Sequence, residues 1–268
     1  MVSEENTDTV IHLPSLFPPI DSKRKEFYDN YLGLYVYKIT TFTPDPIDNP
    51  KDLICVVIFE EFCELAYIRP IKDTIWTRIT GMERVLFDDV IYFNDKFYAL
   101  TYKGKLTSFD ATDPLESEIK LETDENPSNE EKDLIPYKRY LIKSHEGELL
   151  QVQRYKDCDR DLNHVTKKFK VFKLTPDESR WVEMKSLGYV AIFLGDNSST
   201  SIMASNFAGC QGNCIYFTHD KDTLTFGTHG PSDMGMYNIE SQSFTSFSNI
   251  DAEIIAKMEG EPIWVVPS

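Results

Sequence analysis

Residues 88–110 read DDVIYFNDKFYALTYKGKLTSFD, a text through which no amphipathic helix can be drawn. Apolar side chains recur with a period of two, and two polar breaks, Asn94-Asp95 and Lys103-Gly104, interrupt the run where tight hairpin turns would fall. The pattern is that of a three-strand meander. On its middle strand Phe97, Ala99 and Thr101 would face one way while Tyr98, Leu100 and Tyr102 face the other. Both faces are apolar enough to need cover. A sheet of this kind has to be stacked between two others, as the blades of a propeller are.

The same grammar recurs along the chain. RYLIKSHEGELLQVQRY folds back at Glu146-Gly147 and continues through KKFKVFKL to RWVEMK, giving a second meander over residues 140–181. A third is expected over residues 189–217, and a fourth in MGMYNIESQSFTSF with its turn at residues 240–243. LICVVIF, CELAYIRP and TIWTRIT form an earlier set. Trp76 and Trp181 each sit on a strand that leads into an aromatic-rich meander. Their separation of 105 residues is close to twice the roughly 50-residue period of kelch-like blades. About eighteen strand candidates at four per blade give four or five blades. Pattern alone leaves a two-sheet sandwich open beside the propeller.

Between these units lie loops. The acidic tract TDENPSNEEKDLIP, residues 123–136, holds two prolines, has no apolar face and reads as a solvated connection. FTPDPIDNPKD, residues 42–52, should leave the sheet, and residues 251–260 could form a short helix before PIWVVP. Residues 1–10 are expected to be a flexible terminus and residues 11–268 one domain.

Charge and cysteine usage exclude several function classes. With 28 Lys+Arg against 44 Asp+Glu the net charge is −16, which repels a phosphate backbone, so no nucleic-acid partner is expected. The most basic text, PYKRYLIKSH, spreads its cations along a single strand. Apolar runs such as ICVVIF and VAIFL are far too short to span a bilayer, and no basic-then-apolar leader opens the sequence. No membrane partner is expected. Five irregularly spaced cysteines do not form a disulfide framework. An intracellular home, cytoplasmic or nuclear, follows, and the sequon at Asn197-Ser198-Ser199 should stay unmodified.

No catalytic, cofactor-binding or metal-binding residues are expected. Cys210, Cys214, His219 and His229 contain the ligand types of a structural zinc site, but Cys-x3-Cys followed by His after four residues does not match finger or ribbon spacing. Ordinary thiols are the plainer reading, with Cys214 and Tyr216 sharing one strand face. There is no Gly-x-Ser-x-Gly elbow, and His12, His145 and His164 lie in polar, loop-like text where exposure is expected. The carboxylate pairs Glu60-Glu61, Asp88-Asp89 and Glu130-Glu131 are consecutive. Strand neighbours point to opposite faces, so these pairs read as acidic surface rather than as acid and base. In GCQGNC the Lys-Ser/Thr of a phosphate loop is missing; Gly209 and Gly212 are expected to supply positive φ before the strand NCIYFT. Gly195-Asp196-Asn197 is turn chemistry.

Three order-preserving segments, WVEMKSLGYVAIFLGDNSS, SNFAGCQGNCIYFTHD and DMGMYNIESQSF, resemble the KIB-type β-propeller domain of plant F-box proteins. VIYFNDKFYALTYKGKLTSFD and VIHLPSL add to the likeness, which runs from about residue 11 to residue 247. The resemblance implies an all-β, kelch-like propeller that binds an unidentified partner protein. In relatives with an F-box, that domain docks on the adaptor of a cullin-type ubiquitin ligase while the propeller holds the protein to be ubiquitinated. The family carries no catalytic residues or cofactor to transfer. Nothing before Ile11 has the text of an F-box, so adaptor binding is not expected of this polypeptide, and an incomplete ring of blades is. Two alternatives stand beside this reading: a truncated paralogue without a ligase link, and a propeller enzyme or lectin with a site in the central channel.

Overall fold

Asn94 and Asp95 both take positive φ, 45° and 62°, the backbone of the two-residue hairpin turn whose twist matches that of the strands it joins. The turn connects β5 (Phe87–Phe93) to β6 (Lys96–Thr101), with Phe93 opposite Lys96, and β6 passes to β7 (Leu106–Asp110) through a bend with Gly104 at φ 85°. Gly147, at φ 79°, makes the equivalent bend between β9 (Lys138–Lys143) and β10 (Leu149–Cys158). All three turns fall where the polar breaks placed them.

The structure, a computed structural model, describes residues 12–16, 36–42, 53–59, 64–79, 85–110, 120–123, 136–158, 164–175, 180–195, 199–218, 220 and 233–245. Among these residues the strands form four sheets. The first is β1 (Val36–Phe42), β2 (Ile54–Phe59), β3 (Glu64–Ile68) and β4 (Thr77–Arg78), in that order. The second is β5, β6, β7 and β8 (Lys120–Thr123); the third runs β9, β10, β11 (His164–Thr175) and β12 (Arg180–Met184). The sheets open at residues 36, 87, 138 and 190, a spacing of 51 or 52 residues. Trp76, beside β4, and Trp181, on β12, therefore mark corresponding last strands two sheets apart. This is the four-bladed arrangement of an all-β propeller.

The two faces of β6 divide as the alternation requires. Phe97 and Ala99 join Ile54, Val56, Ile58 and Tyr67 of the first sheet in one core. Leu100 joins Leu141, Leu149, Phe172 and Trp181 of the third sheet in another. A further core between the third and fourth sheets contains Tyr140, Val152, Phe169, Ile192, Phe217 and Tyr237. Each core is thus shared by consecutive sheets. The outer face of the first sheet packs Val57, Phe59 and Ala66 against Trp76 and Leu16, and the indole Nε1 of Trp76 donates to the carbonyl oxygen of Pro14 at 2.9 Å.

The fourth sheet departs from expectation. The third and fourth meanders are one five-stranded sheet, ordered β14 (Thr200–Met203), β13 (Val190–Leu194), β15 (Cys214–Phe217), β16 (Gly235–Asn238), β17 (Ser243–Thr245). β13 and β15 pair in parallel, so the sheet is not a simple antiparallel meander. Parallel neighbours need a crossover, and residues 204–213, which begin with a 3-10 turn at Ala204–Asn206, supply it. The turn before β17 has Gln242 at φ 52°, within the expected ESQS. No helix among the described residues is long and apolar enough to cross a membrane. Residues 124–135 of the acidic tract, the proline loop at residues 43–52 and the expected helix at residues 251–260 lie outside the described residues.

Candidate functional site

Strand alternation places Leu150, Val152 and Arg154 of β10 on the face that meets the fourth sheet. An arginine thus ends an apolar stripe, and its side chain is fully buried. Every nitrogen of the guanidinium is used. Nε donates to Thr166 Oγ1 at 2.8 Å, Nη1 to Asp220 Oδ2 at 2.7 Å and to the Thr218 carbonyl at 2.9 Å, and Nη2 to Asp233 Oδ2 at 3.0 Å. The Tyr140 hydroxyl also donates to Asp220, and the guanidinium lies over the Phe217 ring at 4.9 Å. Burial works to raise the Asp220 carboxyl, but the charges of Arg154, Lys138 and Lys156 outweigh it and hold the group well below the usual carboxylate range. Burial likewise disfavours charged Arg154, and Asp220, Tyr140 and Asp233 more than restore it. The set is an ionic staple between two sheets.

A second ionic group ties the first strands of three sheets together. Lys38 of β1 meets Asp89 of β5 at 2.9 Å, and Asp89 Oδ2 accepts the Leu141 amide of β9 at 2.8 Å. Asp88 meets Arg139 of β9 at 3.2 Å, and Arg139 also donates to the Tyr102 carbonyl. The reading of Asp88-Asp89 as acidic surface is therefore corrected: Asp89 is 2% exposed and Asp88 16%. A register shift between Phe87 and Asp89 accommodates the pair, and their cations come from strands some 50 residues away, out of reach of any local pattern. Burial, opposed by Arg139, pushes the Asp88 carboxyl up to about 6.

The remaining residues singled out from the sequence lie apart from these groups. His12 and His145 are exposed, whereas His164 opens β11 opposite Cys158 rather than lying in a loop. Cys214 is buried, accepts a contact from Asn238 Nδ2 at 3.6 Å and shares the expected face with Tyr216, which stacks on Phe193. Burial raises the thiol of Cys214 and pushes that of Cys55 up to about 11, the environment of inert structural cysteines. His219, His229, Glu60-Glu61 and Glu130-Glu131 lie outside the described residues; among those described, no cluster of three or more His, Cys, Asp or Glu could hold a metal.

Gly209 has positive φ, 83°, as expected, but Gly212 does not. A Cβ on Gly212 would lie 2.9 Å from the Gly188 carbonyl oxygen and 3.0 Å from Tyr189 Cα, so glycine is required there for close approach of two backbones. A cleft of about 340 Å³ lies between the third and fourth sheets, lined by the apolar Phe169, Met184, Tyr237 and Ile239 and by the charged Lys168, Lys170, Glu183, Lys185 and Glu240. Neither the cleft nor the Arg154 staple was found from the sequence; the one available signal was an arginine at an inward position of the LLQVQR alternation.

The profile of the KIB1-4 β-propeller domain matches residues 3–238. The chain belongs to the KIB1-4 β-propeller family. Its similar proteins from Arabidopsis thaliana include putative F-box protein At5g60060, 25% identical over 194 residues (69% of this chain, 48% of that protein). F-box protein At2g17036 is 27% identical over 242 residues (83% of this chain, 55% of that protein), and F-box protein SKIP23 is 27% identical over 188 residues (63% and 43%). The chain spans about half the length of these relatives.

Proposed function

We propose that this KIB1-4 propeller is a non-enzymatic protein-interaction module that holds a partner protein on its surface, and that in an F-box-bearing context the partner is a protein marked for ubiquitination. Membership in a family whose similar proteins are named F-box proteins carries this reading. The state of the buried charges supports it. Arg154 with Asp220 and Asp233 is engaged in holding sheets together, which leaves these groups unsuited to proton transfer with a substrate.

Affinity capture from plant extract tests the proposal. The chain is immobilised beside an unrelated β-propeller of similar net charge, and bound proteins are quantified by mass spectrometry. Specific enrichment of one or a few proteins is expected; recovery of none above the control overturns the reading.

A further inference from the structure

We propose that the cleft between the third and fourth sheets is the docking surface, and that it takes an acidic segment of a different protein with an apolar side chain at its centre. The inference rests on the protein-interaction reading above. Charge is spread unevenly over the four sheets. The strands of the third sheet carry ten Lys or Arg against two acids, Asp157 and Glu183. The strands of the other three sheets together carry four against five, and those of the fourth carry no Asp, Glu, Lys or Arg. In a chain of net charge −16, one blade is basic. Its Arg139, Arg154 and Lys156 are buried in the ionic groups described above, but Lys167, Lys168 and Lys170 of β11 reach the surface.

The cleft follows from a mismatch of strand lengths. β11 runs for 12 residues, but β12 pairs with it only from Val171 to Thr175. Opposite Val171, at Met184, β12 ends, and the chain leaves through Lys185 and Ser186 to Leu187, whose amide is held by Asn213 Oδ1 at 2.8 Å. The flank of β11 at residues 168–170 therefore faces the fourth sheet across the open space of about 340 Å³. The floor of that space is apolar. Phe169 and Tyr237 are 3% and 2% exposed, with the partly buried Met184 and Ile239 beside them. The volume is at the small end for a ligand cleft and suits a side chain or two of a docked segment.

The charged lining sets the sign of the occupant. Lys168 and Lys170 lie over the Tyr155 ring at 6.0 and 5.9 Å, a contact that leaves their charge undiminished. Lys167, the extra residue of the bulge in β11, adds an exposed ammonium next to them in sequence. Glu183 is bridged by Lys185 at 2.6 Å, so this pair largely cancels. Glu240 is the other carboxylate of the lining, and it accepts from Asn213 Nδ2 at 3.2 Å. The local balance is positive. Repulsion from the acidic remainder of the protein is screened beyond about 8–10 Å at physiological salt, so the nearby lysines decide. A basic segment would be drawn to the rest of the surface in preference to this cleft, whereas an acidic one is complementary to it.

The test uses the full chain as wild type and as three double variants, Lys168→Glu/Lys170→Glu, Lys168→Gln/Lys170→Gln and Lys103→Glu/Lys105→Glu. The last makes the same change in net charge at two exposed lysines of the second sheet. Urea midpoints are compared first, and the Gln pair carries the test if the Glu pair does not fold. Peptides are selected on wild type from a displayed random library, synthesised and titrated. The expected peptides are rich in Asp and Glu around an apolar residue and bind more weakly as salt is added. Their Kd should be about tenfold or more weaker for Lys168→Glu/Lys170→Glu, several-fold weaker for the Gln pair and within about threefold of wild type for Lys103→Glu/Lys105→Glu. Selection of no peptide, or of peptides without net negative charge, overturns the inference. Equal losses in the two Glu pairs also overturn it, since overall charge and not the cleft is then responsible. So does displacement of the peptide by single-stranded DNA of equal charge, because the surface then takes any polyanion. The same variants go through the affinity capture described above. A protein enriched by wild type and retained by Lys168→Glu/Lys170→Glu overturns the inference while the proposed function stands; capture of nothing by wild type removes both.

Discussion

Arg154 and Asp220, 66 residues apart in sequence, meet at 2.7 Å across the seam of the third and fourth sheets, with at most 1% of either side chain exposed. An ion pair so deeply buried is worth little relative to apolar residues of the same shape, but removing one partner strands the other. Arg154→Met leaves both Asp220 and Asp233 without their main cation and should cost about 3–5 kcal/mol in urea denaturation. Adding Asp220→Asn to that variant should recover part of the loss, since it removes the carboxylate that has lost its main cation while Asp233 keeps the buried Lys156 at 3.5 Å. A single-variant cost below about 1 kcal/mol would show that the seam does not depend on the staple.

Asp88 and Asp220 should make opposite contributions to the pH dependence of stability. Asp220 titrates lower in the folded state than in the unfolded chain, so its contribution is present above the unfolded value of 3.8 and is lost only as the pH falls through the lower folded value. Asp88 is raised from 3.8 to about 6, chiefly by burial. Its contribution is complete below 3.8 and is lost as the pH rises through about 6. In the upper part of that window, above about pH 5, Asp220 is ionised in the folded and the unfolded chain alike and adds no slope. Asp88→Asn should therefore flatten the decline of the urea midpoint there, and identical slopes in wild type and variant would contradict the assignment.

What could be read from the sequence was whatever depends on neighbours in the chain. The Asn94-Asp95 hairpin, the two-sided burial of β6 and the correspondence of Trp76 with Trp181 are local or periodic, and period-two alternation encodes them directly. The parallel pairing of β13 with β15 was missed because a short apolar run carries no mark of which neighbour it will choose. Asp88-Asp89 was misread for a related reason: a buried carboxylate is written like an exposed one, and the cations that license its burial, Lys38 and Arg139, arrive from other sheets. Tyr189 is the converse case, an aromatic in an apolar-looking text that packing leaves outside.

Gly209 and Gly212 should respond differently to alanine. Nothing lies within 4 Å of a Cβ on Gly209, so its cost is only that of holding a side chain at φ 83°, about 1–2 kcal/mol. Gly209→Asn should soften that cost, because Asn tolerates the left-handed region. At Gly212 the added methyl meets backbone at 2.9–3.1 Å, and backbone cannot swing aside as a side chain can. Gly212→Ala should destabilise by about 1–3 kcal/mol through overpacking, and no larger residue should rescue it. Amide exchange separates the two, with Gly212→Ala loosening the Leu187, Val190 and Ala204 amides and Gly209→Ala leaving them protected.

Trp76, on the first sheet, provides a last test. Its indole nitrogen donates to Pro14 across 62 residues of sequence, and Leu16 packs beside the ring against the outer face of the first sheet. This hydrogen bond and the Leu16 contact help to hold residues 12–16 in place. Trp76→Phe keeps most of the apolar cover and removes the donor, which should cost about 0.5–1.5 kcal/mol. The loss should be local. Proteolytic cleavage near Leu13–Leu16 should speed up several-fold while the amides of β2, at the centre of the sheet, exchange as in wild type. Uniformly faster exchange across the first sheet would mean instead that the tryptophan supports the whole blade, and that the Pro14 contact is incidental to it.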